Sequence, residues 1–504
     1  MVRDAVSAVD SRRCARLCGL GLALSVTLAV VATTPVLAAS VKVKTKQISI
    51  PSPFVGNPCT QANPGFSPGF AQETSLAVNP RNPRRILVSW IQDGRTTDTV
   101  MASRNGGRSF TPVFVPGLSA CTGGAFQVAS DPGVRFNSNG RIAYFSAIVV
   151  NNPASAAAAE TGMFAFRSLN GGFSWSPPYV IQSATGQFWD LPVLTPHPRR
   201  PNKAYYVYDL RLPPDFLHGH SLFSSTTNGG QSWSAPRLLY DPQTSDSWPG
   251  YTKILVNRDG SLLAVSSIVS APPPITDPAE VSSNPTQQVV LRSNDGGLTW
   301  GPPVTLGATA GRQVNDPVTD MGQNAFDTFA SETVAPNGDV YVSWLQTTGT
   351  NASARIVVAR STDGGRHWKP FGFTVSGQAA LPTVEVAGNG TVAVLYYQIA
   401  PASSGGDWPT VVKLATSRDR GRHWRSRQIA GPFNLLSAGS NARPCCFLGD
   451  YLGMAPLRSG LAAAFSMGKP IAQNAVDAYF SRITTPPAKG RPAAPKPKPK
   501  KHPR

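Results

Sequence analysis

Five carboxylates occupy corresponding places along the chain. Glu73, Asp131, Asp190, Glu332 and Asp450 each stand just before or at the start of an apolar, β-rich run. Carboxylates crowded together raise one another's pKa, which yields the general acid and general base that glycosidic hydrolysis requires. The same oxygens can hold Ca²⁺, although no cofactor is required; equally, each can cap backbone N–H groups of a neighbouring element. Aromatic rings accompany them: Trp189 precedes Asp190, Tyr451 follows Asp450, and Trp248 stands shortly before Tyr251. Flat rings beside carboxylates suit sugars, whose apolar faces stack while their hydroxyls donate, and burial between sheets explains the same rings as well. Tyr451 is the candidate tyrosine nucleophile. Arg95, Arg211, Arg312 and Arg443 lie in loop segments where they can contact substrate, and His218 and His220 share a loop in a spacing more typical of solvated residues than of metal ligands.

A repeat must position these groups. The pattern Ser/Thr-x-Asp/Asn-x-Gly-x-(Ser/Thr/His)-aromatic occurs six times, beginning at Ser103, Ser168, Thr226, Ser293, Ser361 and Ser417, at separations of 56 to 68 residues. Its chemistry is that of a turn: the Asp or Asn side chain accepts from backbone N–H groups, glycine supplies a positive φ, and the ring buries itself beside the hairpin. Around each copy runs a larger unit of an apolar strand, a tight turn, a second strand, a variable loop and a third strand leading into the pattern. A seventh unit, 449 to 484, lacks the pattern and has three strands. The alternating segment Val41-Lys-Val43-Lys-Thr45-Lys-Gln47-Ile48 is suited to complete it. The expected fold is therefore all-β, a β-propeller of seven four-stranded blades, with six as the alternative, closed by the N-terminal strand. The long loops and the five carboxylates fall on one face, at the channel mouth; the short turns fall on the other.

The six copies match the Asp-box, and the chain resembles the sialidase superfamily and related secreted Asp-box (BNR-repeat) proteins over about residues 70 to 484. The segments Gln72 to Pro80, Cys121-Thr-Gly-Gly124 and Gly449-Asp-Tyr-Leu-Gly453 carry the likeness. The resemblance implies a sialidase-like propeller acting on glycans. The Arg-Ile-Pro signature of sialidases is missing, and Glu73-Thr74-Ser75 stands where the family places its first arginine, which argues against exo-sialidase activity. Two readings remain from different classes: a glycoside hydrolase using two of the mouth carboxylates, and a non-catalytic propeller that binds glycan or protein at the cell surface.

The ends fit an exported protein. Residues 1 to 39 read as a signal peptide with Arg12, Arg13 and Arg16, an apolar stretch and Val36-Leu37-Ala38 before the cleavage point, with a twin-arginine route as an option. Residues 40 to 484 form the propeller, and 485 to 504 a disordered Lys/Pro-rich tail. No other run reaches the roughly 18 apolar residues of a spanning helix. The tail, the segment 41 to 48 and the signal account for twelve of the formal +19, so the body is expected to lack a basic face and a nucleic-acid partner. The tail can meet anionic cell-wall polymer. Of the cysteines left after signal removal, Cys59, Cys121, Cys445 and Cys446, three pairings are possible, and all four are expected to brace the mouth near blades one and seven.

Overall fold

The structure is a computed structural model that describes residues 41–490, apart from 64, 156–157, 271–284, 310–328, 347–352, 401–406, 439–446 and 470–474. The expected signal, most of the tail, Arg312, Arg443, Cys445 and Cys446 lie outside the described residues. Among those described, no helix is long and apolar enough to cross a membrane.

Among the described residues, twenty-eight strands, numbered in chain order, form seven four-stranded antiparallel sheets arranged as a propeller. The innermost strands of blades one to six are β2 (Ala71–Val78), β6 (Val128–Phe136), β10 (Phe188–Pro196), β14 (Ser247–Val256), β18 (Ser331–Val334) and β22 (Gln378–Val386). The second and third strands are apolar without strict alternation because each blade packs a neighbour on both faces. All seven residues of β3 (Ile86–Gln92) are buried, for example, whereas β25 (Arg425–Asn434), an outermost strand, is largely exposed. The core is accordingly divided into clusters between adjacent blades: Leu87 and Val100 of blade one meet Val134 and Phe145 of blade two, and Leu194 and Tyr206 of blade three meet Tyr144 and Met163 of blade two.

The repeated turns follow their expected chemistry. In the first, Ser109 N donates to Asn105 Oδ1 at 2.9 Å and Gly107 N to Ser103 Oγ at 3.0 Å, while Gly106 and Gly107 take φ of 77° and 82°. Trp175 and Trp233, from the second and third, are buried. Gly106 N donates to Arg84 O at 2.8 Å, so the first repeated turn nests against the turn between the first two strands of its own blade. Both kinds of turn therefore share one face, and the longer loops lie on the other.

Blade seven closes the ring. It comprises β26 (Gly453–Leu457), β27 (Gly460–Gly468), β28 (Val476–Thr484) and, outermost, β1 (Lys42–Gln47). β1 runs antiparallel to β28, with Lys42 opposite Thr484 and Gln47 opposite Tyr479. Beyond β1, Ile48 N donates to Ala478 O at 2.9 Å and Ser49 Oγ to the buried Asp477 at 2.6 Å, which also takes the Lys469 ammonium at 2.6 Å. Seven blades, not six, are present, and the N-terminal strand is the closure. Removing residues 41–47 leaves β28 as an exposed edge and deletes the β1 ladder, at roughly 0.5–1.5 kcal/mol per bond. The expected outcome is a lower thermal midpoint together with self-association in sedimentation; an unchanged, monomeric melt would show that β1 closes nothing.

Candidate functional site

The innermost strands break their ladders at one recurrent point. Pairing skips between Gln72 and Ser75, Ser130 and Gly133, Asp190 and Val193, Gly250 and Lys253, and Ala380 and Thr383. Each gap holds one non-glycine residue with positive φ: Glu73 (57°), Asp131 (57°), Leu191 (51°), Tyr251 (53°) and Leu381 (51°). Such bulges re-aim side chains at a strain of about 1–3 kcal/mol each, and here the same device recurs in five blades around one channel. Some of the freed backbone groups are met across blades. Leu191 N donates to Asp131 Oδ2 at 3.4 Å and Asp190 Oδ1 at 3.1 Å, Thr252 N to Asp209 Oδ2 at 2.9 Å, and Glu73 N to Leu448 O at 3.2 Å.

The bulges of blades one to three bring Glu73, Asp131 and Asp190 together, and Asp450, just before β26, makes a fourth of the five sequence-selected carboxylates. Asp131 lies beside both Glu73 and Asp190, and Asp450 acts on both through its charge. Glu73 and Asp190 are pushed well above the usual carboxylate range, first by burial and then by Asp131 and Asp450. Glu73 is buried, Asp131 nearly so, and Asp190 and Asp450 are partly open. Close approach depends on Gly449, where a Cβ would stand 2.5 Å from Glu73 Cγ. Arg95, exposed and itself at φ 77°, is the cation that draws the Glu73 and Asp190 pKa values back down. Among the described residues, no group of three His, Cys, Asp or Glu side chains is arranged to hold a metal ion.

Asp98, on β4 (Thr97–Ser103), is a fifth member that sequence reasoning missed. It is fully buried, neither carboxylate oxygen has a hydrogen-bond partner, and burial followed by the Asp131 charge pushes its pKa well up. A single carboxylate within Thr96-Thr97-Asp98-Thr99, at the start of a buried strand, was the available signal.

Glu332 does not join the cluster. In blade five the β18 ladder is unbroken from Ser331 to Val334, so Glu332 lies deeper in the channel, 3.2 Å from the Lys253 ammonium. With Glu385 and Arg135 it forms a second polar group, also unforeseen. Arg135 donates to Ser75 Oγ at 3.2 Å, and Glu385, raised to about 7 by burial, accepts from Thr333 Oγ1 at 2.7 Å. These side chains line a cavity of ≈ 480 Å³ bounded by the innermost strands. Tyr451 and Tyr251 stand between the two groups, stacked at 5.2 Å, with Phe329 at 5.7 Å from Tyr251 and the Lys253 ammonium 3.7 Å over it. Tyr451, the candidate nucleophile, donates its hydroxyl to Pro132 O at 3.4 Å, and burial, then Glu73 and Asp131, push its phenol further above the ordinary value. Tyr251 serves the same plug rather than a free sugar platform.

The remaining candidates separate clearly. Trp189 is fully buried against Tyr208, so its ring offers no face to a substrate. Trp248 is part-exposed, with the Arg211 guanidinium 4.1 Å over its ring and exposed Phe188 5.7 Å from the same group, and Arg211 Nε donates to Phe216 O at 2.8 Å. His220 is pushed below its usual value, mainly by burial. Cys59 and Cys121 form a disulfide that ties the segment before β2 to the loop after blade one's last strand.

No family model matches the chain, and no curated protein matches it. Solved structures similar to it include an α-L-arabinofuranosidase from Fusarium graminearum (13% identity, 74% of this chain and 98% of that one, TM-score 0.46). The ulvan lyase of polysaccharide lyase family PL25 is similar at 10% identity, over 82% and 94%, with a TM-score of 0.49. Trypanosoma rangeli sialidase is similar at 11% identity, over 74% and 56%, with a TM-score of 0.41. Likeness of this size transfers no activity.

Burial pushes Glu73, Asp98 and Asp190 well above the ordinary carboxylate range, so protonation favours the folded chain. Their contribution is full below the ordinary carboxylate range near pH 4 and is lost as pH rises through the raised folded values. Asp209, raised to about 6 by burial, adds in the same direction. Calorimetry is expected to give a midpoint that falls between about pH 4 and pH 8. Asp98→Asn, which cannot ionise, raises the midpoint at pH 8 by about 2 °C or more and leaves it unchanged at pH 4. Equal shifts at both values would contradict a buried, protonated Asp98.

Proposed function

We propose that the chain is an exported, glycan-acting propeller with glycoside hydrolase activity, and that Asp190 and Asp450 form its acid–base pair. The observation that carries the reading is the carboxylate cluster at the mouth, where burial, Asp131 and Asp450 push the partly open Asp190 well above the usual carboxylate range. Asp190 protonates the leaving glycosidic oxygen. Asp450, the other partly open carboxylate, takes the proton of the incoming water, buried Glu73 and Asp131 back the pair, and Arg95 offers donors to substrate oxygens. Phe188 and Trp248, held by Arg211, form the rim on which a sugar face stacks. Export rests on the basic, apolar and small-residue order of residues 1 to 39, and the Cys59–Cys121 bridge supports it.

The test is release of reporter groups from a panel of neutral and acidic glycosides. Asp190→Asn and Asp450→Asn are expected to lower kcat by about 10²–10⁴-fold with unchanged melts at acid pH. Trp248→Ala raises KM more than it lowers kcat. Turnover that survives both carboxamide variants would sink the assignment. A second reading, a glycan binder without turnover, draws on Asp131 also accepting the Leu191 N–H; it predicts saturable sugar binding that Asp190→Asn retains.

Calcium has no part in this proposal, because burial and mutual repulsion favour the protonated forms of Glu73 and Asp190 where the cation needs bare carboxylates. Millimolar calcium or a chelator is expected to leave both melt and turnover unchanged; a calcium-dependent rise in the midpoint would put a bound ion in the cluster.

A further inference from the structure

The face opposite the mouth is electrostatically divided. In blades one to three the first-to-second turns and the repeated turns, residues 79–85, 103–110, 137–142, 168–175, 197–203 and 226–233, contain nine Arg and Lys and no Asp or Glu. The corresponding segments of blades four to six, 257–261, 293–300, 335–339, 361–368, 387–391 and 417–424, contain five Arg and five Asp. The expectation that no folded face is basic therefore does not hold: charge summed along the chain hides a surplus gathered on half of one face.

These turns are contiguous. Arg81 Nε donates to Ser138 O at 3.2 Å and Asn79 Nδ2 to Gly140 O at 2.7 Å, joining blade one to blade two; Asn137 Nδ2 donates to Pro201 O at 2.9 Å, joining blade two to blade three. Arg81, Arg84, Arg104, Arg141, Arg199 and Arg200 are exposed along this line. The crowding is felt locally: His197 is pushed down to about 4 by burial, then by Arg200, Lys203 and Arg199.

The turn chemistry does not require this surplus. In blades one to three the third position of the repeat is Asn105, Asn170 and Asn228; in blades four to six it is Asp295, Asp363 and Asp419. Both accept the same backbone hydrogen bonds, Ser109 N to Asn105 Oδ1 at 2.9 Å and Thr299 N to Asp295 Oδ1 at 3.0 Å. They differ only in which partner donates between side chains, Asn105 Nδ2 to Ser109 Oγ or Thr299 Oγ1 to Asp295 Oδ2. The three asparagines thus hold the turns without the carboxylates that would neutralise the arginines.

We infer that the turn face of blades one to three is a second binding surface, separate from the mouth, and that it docks an anionic polysaccharide. Exposed guanidinium groups match sulfate, phosphate or carboxylate oxygens in pairs. A polysaccharide is favoured over nucleic acid because the aromatic rings on this face are already occupied. Phe173 lies 3.9 Å beneath the Arg104 guanidinium, Tyr205 lies 5.3 Å beneath the Lys203 ammonium, and Trp175 and Trp233 are buried, so bases find no stacking platform.

The test uses the full chain carrying Lys496→Gln, Lys498→Gln, Lys500→Gln and Lys501→Gln, so that the basic tail does not report, and dextran sulfate immobilised at about 0.15 M salt. The expected result is binding that weakens with added salt and falls about tenfold or more in the triple variant Asn105→Asp/Asn170→Asp/Asn228→Asp. The melt should be preserved, since aspartate holds the same turn in blades four to six. Arg366→Gln/Arg422→Gln, on the balanced half of the face, and Asp131→Asn, at the mouth, should bind as the parent does. Absence of binding in the tail-neutralised chain, equal binding by the triple aspartate variant, or tighter binding to duplex DNA than to dextran sulfate at the same salt would each overturn the inference.

Discussion

Everything at the mouth depends on a backbone detail, the left-handed residue that interrupts the innermost strand of five blades. Seven sheets can share an axis only where their inner strands converge, and there an uninterrupted ladder would send alternate side chains into the neighbouring blades. The bulge displaces that alternation by one residue. Glu73 and Asp131 sit at the left-handed position itself, and Asp190 sits one residue before it. Blade five, whose described inner strand lacks the bulge, delivers Glu332 elsewhere. Strain in the backbone and repulsion among the carboxylates are thus concentrated together and held by the large buried clusters between blades.

The channel is layered. An acidic cluster with one exposed arginine lies at one end, a stacked tyrosine pair lies beneath it, and Arg135, Lys253, Glu332 and Glu385 lie beyond. The tyrosines lie between the two polar groups, while Asp450 also lines the cavity that holds Glu332 and Glu385. The opposite face carries the arginine surplus, so the two ends of the short axis have opposite electrostatic character, with the acidic group recessed and the basic group exposed.

Much of the fold was legible because the repeat is written in residues with obligatory local chemistry: Ser/Thr, Asp/Asn and Gly at fixed offsets make a turn wherever they occur. Ring closure was legible too, since Val41 to Ile48 alternates and the last unit lacks a strand. The carboxylates could be placed at the start of their strands, but their orientation could not, because the bulge arises from pairing between strands and leaves no residue signature; Glu, Asp, Leu and Tyr all occupy it. Trp189 and Trp248 look alike in sequence, yet one is core and the other rim, because Trp189 precedes the left-handed Leu191 by an even offset and Trp248 precedes the left-handed Tyr251 by an odd one, which turns them to opposite faces of their strands. Asp98 escaped notice because it belongs to a third strand, whereas the others stand in or just before innermost strands.

The pairing of β1 with β28 also has a mechanical meaning. Lys42 lies opposite Thr484, so the beginning of one strand and the end of the other emerge side by side. Tension applied between them would load the ladder one rung at a time, as a zipper opens, rather than all rungs together in shear. A molecule held through its tail while its leading segment is tugged would open this seam rung by rung once the contacts of residues 485–489 with blade six had given way, leaving the carboxylates of blades one to three in their packed setting.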